Sequence, residues 1–293
     1  MSRSSYGSQH MSARLERVMM RAPGASLAAA DPARWHYGRQ FNAARAADQH
    51  AVFTRLIENS GAQILWLDDE GDGLADAMFT HDPSLVTDHG AIVLRMGKAL
   101  RAPEPALHEA RYLEAGIPIL GRIDAPGTVE GGDCLWLDAT TLLVGRGIRT
   151  HQSGIDQLMR MLAPRGIAVH AFDLPLWQGE QACLHLLSVI SPLAESLALV
   201  FAPLLPVALY QLLRTRGIEL IEAPVEEFHA SGGLSLNVLP TAPRELIMVA
   251  GFPRTRTALE AAGCRVEAFE AASLCIACEG GPTCLTRPVL RRS

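Results

Sequence analysis

The sequence is short of the residue types that mark several classes of protein. Only 19% of its 293 residues are charged, and 26 Lys+Arg against 31 Asp+Glu leave a net charge of −5. No basic run is present, which argues against nucleic acid as a partner. Six cysteines are too sparse for a disulfide scaffold. No apolar run reaches the length of about 20 residues that a spanning helix needs. The best candidate, 197–210, is interrupted by Pro203 and Pro206 and reads as a buried strand and loop. The opening residues MSRSSYGSQHMSARLERV are polar and carry no apolar signal core. Residues 1–14 are therefore expected to be disordered, and 15–293 to form one soluble, cytoplasmic domain without a membrane partner. Neither GxxxxGK[ST] nor HExxH occurs, so phosphate-loop and zincin chemistry have no support.

What the chain does have is apolar content, at 48%, enough for a large core without metal or disulfide staples. One pattern recurs along it: the end of an amphipathic helix, a glycine, then a short apolar strand. It reads LIENSGAQILWL at Gly61, RYLEAGIPILG at Gly116, MLAPRGIAVHAF at Gly166, LLRTRGIELIEA at Gly217 and LEAAGCRVEAF at Gly263. Each glycine stands where a helix C-terminus calls for the left-handed conformation. Helices are expected over 41–59, 104–115, 152–162, 207–215 and 255–262. Further strands are expected at 91–95, at 134–137 with 141–144, at 184–190 with 197–201, and at 236–239 with 246–250. Five strand–strand–helix–strand units of about 50 residues suggest circular closure of an α/β repeat. A doubly wound sheet would give similar spacings.

Several residues could carry chemistry. Cys284 follows Gly280-Gly281-Pro282-Thr283, on a loop whose backbone can approach a ligand closely. Arg287 nearby offers a cation to hold a thiolate; the plainer reading of Cys284 is a small buried hydrophobe. Cys275-x-x-Cys278 is a lone pair without a matching second one, a weak zinc signal. Thr128-Val-Glu130-Gly-Gly-Asp133 either aims a carboxylate into a cavity or forms a solvated turn. His185 lies in the apolar run CLHLLSVIS, where a strand would bury it. Asp82 precedes Pro83 and is extended or in a turn. A thiol, a histidine and carboxylates are the parts of cysteine nucleophilic catalysis, and spacing alone does not join them.

In order, DAPGTVEGGD (124–133), GRGIRT (145–150), Leu184-His185-Leu186, GFPRTR (251–256) and GGPTC (280–284) resemble the dimethylarginine dimethylaminohydrolase branch of the guanidino-group-modifying enzymes, relatives of arginine deiminase and the amidinotransferases. The resemblance runs over nearly the whole chain. It implies a five-unit ββαβ-type α/β propeller, or pentein, closing around a central channel. It implies Cys284 as nucleophile, His185 as general acid and base, and Glu130 as the carboxylate beside the histidine. Asp82 would grip a guanidinium nitrogen and Asp76 would line the pocket, while Arg95 and Arg149 would hold the α-carboxylate. The implied partner is a small guanidino substrate, with no metal or organic cofactor; a homo-oligomer is left open.

Arginine deiminases carry an aspartate two residues after the histidine, where Leu187 stands here, and this favours a methylated arginine over free arginine. His81 also departs from the pattern, standing where an acidic residue is usual. Amidinotransferases usually have a histidine in the place of Thr283. Arginine deiminase, another guanidino or ureido hydrolase and an amidinotransferase are the enzyme alternatives. The non-enzyme alternative is a guanidino- or zinc-binding protein, with Cys284, Cys278 and His185 as metal ligands.

Overall fold

The structure, a computed structural model, describes residues 4–69, 71–179 and 182–292. Its five sheets have three strands each and follow one plan. The first unit runs from β1 (Arg14–Arg21) through α1 (Ala43–Asn59) to β2 (Gln63–Leu67). The second is β3 (Ser84–Thr87), β4 (Gly90–Val93), α2 (Glu104–Glu114) and β5 (Ile119–Arg122). The third is β6 (Cys134–Asp138), β7 (Thr141–Arg146), α3 (Gln152–Leu162) and β8 (Ala168–Asp173). The fourth is β9 (Ile190–Ala194), β10 (Leu197–Val200), α4 (Val207–Thr215) and β11 (Glu219–Glu222). The fifth is β12 (Leu239–Ala242), β13 (Glu245–Val249), α5 (Pro253–Ala261) and β14 (Arg265–Phe269). In these last four sheets the first two strands are antiparallel and the last two parallel. The final strand, β15 (Arg287–Arg292), completes the first sheet by pairing antiparallel with β1, while β1 pairs parallel with β2. The two ends of the chain thus share one sheet.

The five glycines lie where the repeat requires them. Gly61, Gly116, Gly166, Gly217 and Gly263 all have φ between +70° and +87°, a region costly for residues with a Cβ. Each ends a helix and releases the chain into the third strand of its unit. The helices bury one stripe: α1 turns Ala46, His50, Phe53 and Ile57 inward, and α3 turns Ile155, Leu158 and Leu162, as a period of 3.6 residues dictates. Asn42 starts α1 by accepting from the Arg45 amide at 2.9 Å.

Three expectations differ from the structure. The strand expected at 184–190 begins only at Ile190, and Leu186–Ser188 form a 3-10 turn. His185 caps that turn, its own amide donating to Ser188 Oγ at 3.2 Å; such local bonds compete with a sheet ladder. In the same way, Leu234–Leu236 form a turn after Gly233, at φ +90°, and the strand starts at Leu239. Finally, residues 4–13 of the segment expected to be disordered lie packed along the fold. Gly7 exchanges backbone bonds with Val289 and Arg291 at 2.9 and 2.8 Å, and Gln9 Oε1 accepts from the Asp88 amide at 2.7 Å. Its polar composition hid the fact that its polar groups have partners. Residues 1–3 lie outside the described residues.

Candidate active site

The loop entering β6 presents Glu130 in extended conformation before the short turn Gly131–Asp133. Glu130 is 1% exposed, so its carboxylate depends on protein partners. Oε1 accepts from the Gly97 and Lys98 amides at 2.9 and 3.0 Å, with Arg149 Nη1 at 3.5 Å. Oε2 accepts from His185 Nε2 at 2.8 Å. Asp133 holds the same histidine turn from behind, accepting from the Leu186 amide at 2.9 Å. Burial pushes the Asp133 carboxyl up to about 6. Burial pushes Glu130 up as well, but the bond and charge of His185 outweigh it and hold Glu130 below the usual carboxylate range. Burial pulls His185 down, yet Cys183, Asp133 and Asp82 around it hold the ring well above its ordinary value.

The glycine pair is what lets these groups meet. A Cβ on Gly132 would lie 2.5 Å from His185 Nδ1 and 3.0 Å from Asp82 Oδ1, and one on Gly131 would collide with the His81 carbonyl. The Gly131 and Gly132 amides donate to the Asp82 carbonyl and to Asp82 Oδ1, both at 2.9 Å.

Cys284 sits on a turn between Gly281 and Thr286, closed by the Leu285 amide on the Gly281 carbonyl at 3.1 Å. Gly280 packs flat on the Phe79 ring and Gly281 on the Asn237 side chain, with no room for a Cβ at either. Asn237 braces the turn twice: Oδ1 accepts from the Thr283 amide at 2.9 Å, and Nδ2 donates to Cys284 Sγ at 3.2 Å. The His81 amide donates to the Cys284 carbonyl at 3.1 Å. Burial, then the Asp82 charge, push the Cys284 thiol up.

Asp82 Oδ2 accepts from Arg101 Nη1 at 2.6 Å, and Arg101 is itself held by Glu104 and the Phe79 carbonyl. Burial pushes Asp82 up, but His185 and Arg101 outweigh it and hold the carboxyl well below the usual range. Asp76 accepts from Tyr37 Oη at 2.8 Å and from Lys98 Nζ at 2.6 Å. Lys98 also lies 5.4 Å from the centre of the Trp35 ring. Arg149 reaches Glu130, as above, whereas Arg95 is exposed and donates to the Gly127 carbonyl at 3.2 Å. The structure therefore gathers Cys284, His185, Glu130, Asp82 and Arg149 into one linked set. Asp76 joins it through Lys98, and Arg95 lies at its edge.

Among the described residues, the side chains whose ligand atoms come within 4.8 Å of one another, as a metal would need, are Glu130, Cys183 and His185. The expected trio of Cys284, Cys278 and His185 is not such a group: Cys278 Sγ turns to the Ser273 carbonyl at 3.5 Å. Cys275 is packed in the core beneath α1. Arg287 does not face the Cys284 thiol as expected; its guanidinium donates to the His81 carbonyl instead.

Residues 71–208 match the arginine deiminase family profile. The N(G),N(G)-dimethylarginine dimethylaminohydrolase of Pseudomonas aeruginosa is 28% identical over 76% of this chain and 80% of its own length. A crystal structure of a dimethylarginine dimethylaminohydrolase adduct with 4-chloro-2-hydroxymethylpyridine superposes with a TM-score of 0.75. It is 25% identical and covers 95% of this chain and 100% of that one. The chain is thus similar to the dimethylargininases and arginine deiminases of the guanidino-group-modifying superfamily. SxtG, an amidinotransferase from Microseira wollei, shares the fold at 18% identity, with a TM-score of 0.78 over 98% of each chain.

Sequence alone does not mark Asn237, Arg101, Lys98, Tyr37 or Cys183 as members of the site. An asparagine in the apolar stretch GLSLNVLP was the one visible sign of Asn237, since a buried amide needs partners. Leu187, which bore the substrate argument, is buried in an apolar cluster and, with His81 and Thr283, lines a small cavity that the four residues Cys284, His185, Glu130 and Asp82 do not line. His81 is tied to the Thr286 carbonyl at 2.8 Å and lowered by burial to about 3, so it is a neutral support for the turn.

Proposed function

We propose that the protein hydrolyses a C–N bond of a guanidino compound by cysteine nucleophilic catalysis, converting Nω-methylated arginine to citrulline and methylamine or dimethylamine. The observation that carries this reading is the 2.8 Å bond between His185 Nε2 and Glu130 Oε2, made across the glycine pair that also seats Asp82.

The steps follow from the charges. Guanidinium is resonance-stabilised and resists attack at its central carbon. Asp82 and Glu130 fix the cation, and the cation in turn favours ionisation of the Cys284 thiol, which burial and Asp82 oppose in the free protein. The thiolate adds to the guanidinium carbon and forms a C–S bond. His185, kept protonated by the acids around it, gives its proton to the departing amine as the C–N bond breaks, leaving an S-alkylthiouronium. The neutral histidine then takes a proton from water, whose oxygen adds to the same carbon; the thiolate leaves and the ureido product is released. Arg149 and the exposed Arg95 would hold the substrate carboxylate, for which a guanidinium fork is suited.

The methylated substrate is supported by the relative of that name and by Leu187, which offers no acceptor for an unsubstituted guanidinium. Arginine deiminase is the second reading, favoured by the profile match over 71–208. A citrulline assay with dimethylarginine, monomethylarginine and arginine, and Cys284→Ser as control, separates them. Citrulline from the methylated substrates only, absent in the variant, is the expected result. Turnover of arginine at an equal or greater rate would make it a deiminase.

A further inference from the structure

Two partly exposed cations of the site, Arg149 and Lys98, stand side by side. Their side chains keep 18% and 20% of their surface, against 7% for Arg101. Gly97 brings them together. A Cβ there would lie 2.7 Å from the Arg149 carbonyl oxygen and 2.9 Å from the Arg149 Cα, so the backbone entering Lys98 lies flat against that of Arg149. Both residues then reach the same carboxylate oxygen. The Lys98 amide and Arg149 Nη1 lie 3.0 and 3.5 Å from Glu130 Oε1, whereas His185 Nε2 is bonded to Oε2. Glu130 thus has a histidine side and a cationic side.

The protein does not use up the donors of these two cations. The Lys98 ammonium donates to Asp76 Oδ2 at 2.6 Å, and Tyr37 Oη donates to the other oxygen of Asp76 at 2.8 Å. Asp76 is thereby held on both sides and orients the ammonium. The Trp35 ring, its centre 5.4 Å from Lys98 Nζ, attracts the cation through its face and accepts no N–H from it in the manner of an oxygen. An ammonium has more N–H donors than these partners occupy. Arg149 is held loosely: 3.5 Å to Glu130 is long for a bond between charged partners, and the rest of its guanidinium fork is free to bind. Adjacent cations with surface and spare donors are what a carboxylate needs.

We propose that Lys98 holds the α-carboxylate of the substrate together with Arg149, and so selects a guanidino amino acid over a guanidino amine. The inference rests on the function proposed above and deepens it. The guanidinium lies toward Asp82 and His185, and the carboxylate toward the cationic side of Glu130. Lys98 then has two tasks in one residue: its backbone amide fixes the Glu130 carboxylate, and its side chain receives the far end of the molecule that Glu130 grips. Only the second task depends on the side chain, so substitution separates them.

Two chloroacetamidines that alkylate Cys284 test it without relying on turnover. One is built on ornithine and carries an α-carboxylate; the other is built on putrescine and lacks it. The second-order rate of inactivation should favour the ornithine reagent in the parent. Lys98→Gln keeps an N–H donor for Asp76 but removes the charge, and should cut that preference roughly tenfold to a hundredfold, the effect of one hydrogen bond to a charged group. Lys98→Arg should restore most of it, and the ratio of two reagents on one variant cancels general damage to the site. A crystal structure of the ornithine adduct on the unaltered protein should place a carboxylate oxygen within hydrogen-bond distance of Lys98 Nζ, which decides the matter even where Lys98→Gln fails to fold. A preference that survives Lys98→Gln, or a parent with none, overturns the proposal whatever the citrulline assay shows. A parent that releases no citrulline yet loses its preference on Lys98→Gln overturns the hydrolysis and leaves the carboxylate site standing.

Discussion

Asp82 already holds a guanidinium: Arg101 Nη1 donates to its Oδ2 at 2.6 Å, while its Oδ1 accepts from the Gly132 amide at 2.9 Å. Each carboxylate oxygen has a second lone pair, so the aspartate is oriented by the protein and keeps acceptor capacity for the substrate cation proposed above. Arg101, which orients it, is buried and itself clamped by Glu104.

Arg101→Met would strand Asp82 and Glu104 as buried carboxylates with no cation. Removing one partner of such a buried network costs about 3–5 kcal/mol, read as a fall in urea unfolding free energy. Arg101→Lys should recover part of the stability, since it restores the charge, but not the fork that also reaches the Phe79 carbonyl. A loss under about 1 kcal/mol for Arg101→Met would mean that the network relaxes around the gap.

Gly132→Ala tests whether the site depends on close approach of backbone to side chain. The added methyl would stand 2.5 Å from His185 Nδ1, and the ring is the freest group to move. Shifting it off Glu130 by about 1 Å should lower kcat roughly a hundredfold, with Tm changed by only a few degrees. A variant with wild-type kcat would show that the His185–Glu130 bond is not needed for turnover.

The protonation state of Cys284 in the free protein is open to direct measurement. Burial and then Asp82 push its thiol up, so the reactive thiolate is scarce at pH 7. Inactivation by neutral iodoacetamide should climb about tenfold per pH unit between pH 7 and 9, without a plateau. A cationic haloacetamidine, which supplies its own charge next to Asp82, should inactivate efficiently at pH 7. Asn237→Ala removes the donor to Sγ and should move the iodoacetamide profile further to alkaline pH. A plateau already at pH 7 would show a preformed thiolate.

What could be read from the sequence is what local physics decides. Gly61, Gly116, Gly166, Gly217 and Gly263 mark themselves because a left-handed backbone is a property of one residue. The helices at 152–162 and 207–215 follow from apolar spacing alone. The site divides along the same line. Cys284, His185 and Glu130 each read locally as a structural residue, and only the order of the motifs around them carried the resemblance. Asn237 and Cys284 are 47 residues apart and come from different units, so nothing local announces that one braces the other. Arg101 stands just before the helix that begins at Glu104, and nothing local in the sequence marks its burial on Asp82. His185 lies before a turn rather than in the expected strand, because apolar neighbours suit a strand and a buried turn equally well.

Cys183 gives the last test, because it acts on His185 rather than on substrate. Its Sγ lies within 4.8 Å of a ligand nitrogen of His185, and after the opposing effect of burial it is the first group holding that ring protonated. In the proposed mechanism His185 must be protonated to act as an acid, so activity should fall as pH rises through its folded value, which lies well above the ordinary one. Cys183→Ala should move that alkaline limb to lower pH and leave the acid limb in place. Stability should follow the same sign. A histidine whose folded value is raised stabilises the fold fully below about pH 6.5 and loses that contribution as pH climbs through the folded value. The variant should therefore be less stable than the parent at pH 6 and converge with it at high pH. Measured kcat profiles and urea midpoints check both. An alkaline limb that stays in place would show that Asp133 and Asp82 suffice to keep the histidine charged.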